Sequence, residues 1–152
     1  MAFTLTVQSL VKCPKPQLWQ HVTQMQNVNY ELMPIVRMTF PAGKAAINGQ
    51  QVPMHIPLFT STLLLFGFIP IDLHHLTFDK IIEGECYYEN STTLTHKFWK
   101  HTRILTAVDN GTMVNDEVSF QPHVPLLGYL LLPLYKATFK HRHRKLTAYF
   151  KP

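Results

Sequence analysis

The chain has 152 residues, 46% hydrophobic and 15% charged, which excludes intrinsic disorder and falls below the roughly 25% charged share of an ordinary soluble domain. At this length about 70% of the unfolded chain's surface is buried on folding, enough for one core, and the reading is a single domain over residues 1–152. The net charge of +5 is uneven, because all nine acidic residues stand at or before Glu117, while Lys136, Lys140, Arg142, Arg144, Lys145 and Lys151 follow with no acid among them.

Phe3 to Val11 alternates, with Phe3, Leu5, Val7 and Val11 on one face and Thr4, Thr6 and Gln8 on the other, the pattern of a half-buried strand. Pro16 then opens a short helix whose Leu18, Trp19, Val22 and Met25 share a face. Asn27 is read as the N-cap of a second helix, Val28 to Met33, stopped by Pro34. Ile35 to Phe40 reads as a brief strand, and Pro41 to Pro57 as a long connection holding Gly43 and an Asn48-Gly49 turn. Thr60 to Phe68, Leu73 to Glu83, Cys86 to Thr92 and Thr95 to Val108 are further strands.

Asn110-Gly111 is the pair that a two-residue hairpin turn favours. With those two as the loop, Leu105 faces Asp116, Arg103 faces Val118 and His101 faces Phe120. Trp99, His101, Arg103 and Leu105 then share a face with Val114, Asp116, Val118 and Phe120, and the apolar members mark that face as the inner one. His101, Arg103 and Asp116 therefore point toward the core, where polar groups need partners. Pro122 and Pro125 end the sheet, and Pro133 to Phe150 reads as a long amphipathic helix with Tyr135, Phe139, Arg142, His143, Leu146 and Phe150 on one stripe.

This element order, together with Pro16-x-Leu18-Trp19, Asn29-x-Glu31-Leu32-x-Pro34, Leu65-Phe66-Gly67-x-Ile69-Pro70, Trp99-x-His101-x-Arg103-Ile104 and Phe139-x-His141-Arg142-His143-x-x-Leu146, resembles the START/polyketide-cyclase-like (SRPBCC) superfamily over essentially the whole chain. The resemblance implies an α+β helix-grip fold. A curved antiparallel sheet of about seven strands wraps a long C-terminal helix, two short helices follow the first strand, and sheet and helix enclose an apolar cavity. It further implies a small hydrophobic ligand of lipid, isoprenoid or polyketide character, carried or sensed, or else cyclised, dehydrated or isomerised.

Three sets of residues are candidates for such work. His101, Arg103 and Asp116 form a buried ion pair that satisfies itself, orient a ligand, or serve an enzyme in which His101 shuttles a proton and Arg103 stabilises an enolate. Phe59, Leu64, Phe66, Phe68, Trp99, Tyr129, Tyr135, Phe139 and Arg142 are expected to line the cavity or its mouth. Nine histidines invite a metal, but His74-His75 point to opposite faces of a strand and His141-x-His143 diverges on a helix, so no metal or other cofactor is expected.

The basic end suits transient contact with an anionic membrane, and nucleic acid is disfavoured because the basic cluster is confined to one helix. The longest apolar runs, Leu63 to Ile71 and Leu126 to Leu134, are far shorter than the roughly 20 residues that span a bilayer. Two isolated cysteines and no basic segment leading into an apolar run point to the cytoplasm.

Overall fold

The computed structural model describes residues 2–47 and 52–151, so the expected Asn48-Gly49 turn lies outside the described residues. The elements run β1 (Phe3–Val11), α1 (Lys15–Val22), α2 (Met25–Leu32), β2 (Val36–Met38), β3 (Pro57–Leu65), β4 (Ile69–Ile82), β5 (Cys86–Thr93), β6 (His96–Val108), β7 (Gly111–Pro122) and α3 (Leu127–Tyr149). The strands form one antiparallel sheet in the order β1-β7-β6-β5-β4-β3-β2, and α3 packs against it. This is the helix-grip α+β architecture.

Local sequence accounts for most of these elements. Pro16 sits in the first turn of α1, where a missing N–H costs nothing, and Leu18, Trp19 and Val22 are buried. The second helix starts earlier than expected, at Met25 with Gln24 as its cap. Asn27 lies inside its first turn and donates from Nδ2 to the His21 carbonyl at 3.0 Å. This start puts Met25, Val28, Glu31 and Leu32 on one buried stripe.

The β6–β7 register differs by two residues from the expected one. Val108 pairs with Gly111, so Asp109 and Asn110 are the loop, and Arg103 faces Asp116 directly while His101 faces Val118. The reason is Gly111 itself. Its φ is +146°, and a Cβ there would lie 2.2 Å from the Val11 carbonyl oxygen, so the glycine serves a close approach to β1. A shift of two preserves the face of every side chain, and His101, Arg103 and Asp116 are all buried.

Helix α3 also begins earlier than expected, at Leu127, and Pro133 lies inside it. Proline forfeits one helical hydrogen bond there, but tertiary packing holds the preceding turns. Gly128 rests on the Phe3 ring so closely that a Cβ would fall 1.8 Å from Cε2. The core has two parts. The larger joins α1 and α2 to the sheet and Leu146, and the smaller gathers Phe3, Leu5, Val118, Phe120 and Phe139.

Candidate functional site

Between α3, α2 and the sheet lies a cavity of about 380 Å³. Its walls are mainly apolar, with Met25, Val28, Leu32 and Met38 on one side and Leu127, Leu131 and Leu134 on another. Polar groups reach it from β4 (His74), β5 (Glu89), β6 (His101) and α3 (Tyr135 and Arg142).

Behind the His101 wall stands a sealed charge network. Asp116 on β7 accepts from Arg103 Nε and Nη2, both at 2.8 Å, from His101 Nε2 at 2.8 Å and from His143 Nε2 at 2.6 Å. Glu31 on α2 accepts from Arg103 Nη2 at 3.0 Å and Nη1 at 3.3 Å, and from Arg142 Nε at 3.1 Å. Two carboxylates thus face two guanidiniums, which satisfies the requirement that buried charges be paired and hydrogen-bonded.

The electrostatics follow from that pairing. Burial alone would raise Asp116 and Glu31, but Arg103 holds Asp116 well below the usual carboxylate range, and Arg103 with Arg142 lowers Glu31. Arg103 in turn is lifted well above its ordinary value by Asp116 and Glu31, against the effect of burial. Burial depresses His101 despite its bond to Asp116, so its imidazole is neutral near pH 7. Since ionised Asp116 only accepts, the His101 proton sits on Nε2 and Nδ1 carries a lone pair.

A second chain of hydrogen bonds runs along another part of the wall. Thr95 Oγ1 donates to Asp72 Oδ2 at 2.7 Å and therefore accepts from His96 Nδ1 at 2.8 Å. His96, depressed by burial, then accepts at Nε2 from the Tyr135 hydroxyl at 3.1 Å. Burial raises the Tyr135 phenol above its usual range and pushes Tyr87 up to about 12; both stay protonated donors near pH 7.

Of the residues singled out in the sequence, Trp99, His101, Tyr135, Phe139 and Arg142 line the cavity. Arg103 and Asp116 lie fully buried behind it. Phe59 packs in the larger core, and Leu64 is not among the lining residues, although its neighbours Leu63 and Leu65 are. Phe66 and Phe68 are exposed at the β3–β4 turn, Phe68 by 72%, and Tyr129 sits edge-on to Phe3 on the outside.

Sequence reasoning gave no role to Glu31, His74, Glu89 or His96, and none to His143 in the network. The signal for Glu31 is its place on the stripe of Met25, Val28 and Leu32. That for Glu89 is the inward alternation Tyr87, Glu89, Ser91 and Thr93.

Residues 9–150 match the family described as Domain of unknown function (DUF8410). The chain belongs to the DUF8410 family. No curated protein matches the DUF8410 chain. Solved structures do match its fold. Ara h 8.0201 is 13% identical, with a TM-score of 0.67 over 99% of this chain and 98% of that one. A START superfamily protein from Mycobacterium smegmatis is 9% identical, with a TM-score of 0.64 over 99% and 97%. The di-domain ARO/CYC StfQ of the steffimycin biosynthetic pathway is 9% identical, with a TM-score of 0.66 over 99% of this chain and 51% of that one. The DUF8410 chain therefore shares the helix-grip fold of these structures. Among its described residues no helix is long and apolar enough to cross a membrane.

Proposed function

We propose that this protein binds a small hydrophobic molecule of lipid, isoprenoid or polyketide character between the sheet and α3, as a carrier or sensor. The observation that carries the reading is the cavity of about 380 Å³, apolar over most of its wall and polar at a few defined positions. Burial of the ligand's apolar surface at about 25 cal/mol per Å² supplies most of the affinity. The test is mass spectrometry of protein purified natively from its host and then denatured. Release of a stoichiometric apolar compound supports the reading, and protein that neither releases such a compound nor takes one up counts against it.

A second reading, an enzyme that cyclises, dehydrates or isomerises such a ligand, draws on one observation: His101 faces the cavity while Asp116 holds its far nitrogen at 2.8 Å. In that reading His101 moves the proton and Asp116 orients it. Because Arg103 is sealed behind the wall, Arg142 is the guanidinium placed to face a developing oxyanion. Turnover separates the two. His101→Ala abolishes the rate of an enzyme, whereas a carrier shows no turnover with or without His101 and still takes up the ligand.

The carrier reading includes transient contact with an anionic membrane. Exposed Phe66, Phe68, Leu126 and Leu130 flank the lining positions Leu65, Ile71, Leu127 and Leu131, and Lys136, Lys140 and Arg144 are exposed farther along α3. Sedimentation with phosphatidylglycerol vesicles, weakened by salt, tests it. Free, buried cysteines suit a reducing, cytoplasmic setting.

A further inference from the structure

Two acceptor atoms face each other across the cavity wall with no donor between them. Glu89 Oε2 accepts from His74 Nε2 at 2.5 Å and from Ser91 Oγ at 2.6 Å. Ser91 has no second proton to give, and its Oγ already accepts from the Thr77 N–H at 3.1 Å. Glu89 Oε1 has no hydrogen bond from any described residue, and His101 Nδ1 stands 3.9 Å from it, beyond bonding distance. His101 spends its Nε2 proton on Asp116, which leaves Nδ1 as a second acceptor. Both side chains are more than nine-tenths buried and both line the cavity.

An unmet acceptor in a low-dielectric site is costly, and two of them 3.9 Å apart select an occupant that brings a proton. A carboxylate brings none and adds a negative charge beside Glu89, which has no Lys or Arg paired to it among the described residues. A carbonyl also brings none. A hydroxyl brings one proton, which the charged Glu89 Oε1 takes in preference to neutral His101 Nδ1, and keeps lone pairs free to accept. Arg142 supplies a donor on the same wall, since Nε alone is bound, to Glu31, and it packs with His101 on the Phe139 ring.

We infer that the cavity seats a ligand hydroxyl that donates to Glu89 Oε1 beside His101 Nδ1, so that its occupant is an apolar alcohol or phenol and not a carboxylic acid. This rests on the ligand-binding reading above. Isothermal titration calorimetry of the intact chain at pH 7.5 with four probes of one skeleton, 2-naphthol, 2-naphthylamine, 2-naphthoate and 2-methylnaphthalene, tests it. The expected result is 2-naphthol binding at least about tenfold tighter than each of the others, the size of one hydrogen bond to a charged group. Glu89→Gln, which keeps the shape and removes the charge, is expected to narrow the 2-naphthol to 2-naphthoate ratio severalfold. Equal or tighter binding of 2-naphthoate or 2-methylnaphthalene overturns the hydroxyl assignment and leaves the cavity reading standing. Tighter binding of 2-naphthylamine also overturns it. Binding of none of the four, the methyl compound included, overturns the cavity reading itself. The four-probe comparison needs no variant, and a folded Glu89→Gln protein with an unchanged ratio counts against the assignment.

Discussion

The first turns of α3 carry Leu127, Tyr129, Leu130 and Leu134 and leave them exposed, whereas the later turns carry Arg142 and His143 and bury them. Hydropathy alone orders these two halves the other way round. The later half buries its charges because each has a partner supplied from elsewhere in the chain: Glu31 for Arg142, and Asp116 and Ser9 for His143. The earlier half keeps apolar side chains partly in solvent, and two of them, Leu127 and Leu134, also line the cavity. In the proposed function the exposed apolar cluster is the surface that meets a membrane, while the satisfied buried network is the frame that holds the site still.

The contrast breaks most severely at Asp116. Asp116→Ala removes the acceptor for Arg103, His101 and His143 together and is expected to cost about 3–5 kcal/mol, the range for leaving one partner of a buried pair uncompensated. Urea denaturation measures it, and a loss under about 1 kcal/mol refutes the view that this half is the frame. Gly111→Ala places a methyl against the Val11 carbonyl at a positive φ and is expected to cost about 1–3 kcal/mol. The same urea assay reads it, and a neutral result means that the β1 contact is loose.

Acid sharpens the contrast. His101 is held below its unfolded value, mainly by burial, so between the two values the unfolded chain binds a proton that the folded chain does not. Stability therefore falls as pH drops below about 6.5, with a slope of up to about 1.4 kcal/mol per pH unit from this group. Asp116 and Glu31 are depressed, so their contribution is complete above the ordinary carboxylate range and is lost only as pH falls through their lower folded values. A urea midpoint that stays flat from pH 7.5 to 5.5 contradicts this assignment. The smallest stability effect belongs to the exposed half. Leu130→Ser is expected to shift stability by less than about 0.5 kcal/mol while lowering vesicle binding about tenfold, the scale of one buried leucine. Vesicle binding unchanged by this substitution removes the membrane contact from the proposal.

The fold was legible because its signals are local: alternation in β1, Pro16 in α1, and the element order. What was missed depends on partners far along the chain. The Asn110-Gly111 turn reads correctly as a tight hairpin, but its register is decided by the approach of Gly111 to Val11, a contact that no two-residue rule contains. The start of α3 is decided by Gly128 on Phe3 and not by Pro133. In the site, the inward facing of His101, Arg103 and Asp116 survived the register shift because the shift was even. Their division between cavity wall and sealed network did not follow from any pattern in β6 and β7, since it depends on where Glu31 of α2 and Arg142 of α3 arrive.

The network also sets an order of events during synthesis. Asp116 is paired with Arg103 only 13 positions away, but the Glu31 to Arg142 bond closes over 111 and the Ser9 to His143 bond over 134. Until α3 leaves the ribosome, Glu31 and Asp116 lack two of their partners, so the hairpins can form early while the domain closes only once its last helix is free. Such long-range closure slows folding and leaves apolar strands uncovered in the interim. The nascent chain of this protein is accordingly one for which chaperone occupancy should persist until residue 143 has emerged.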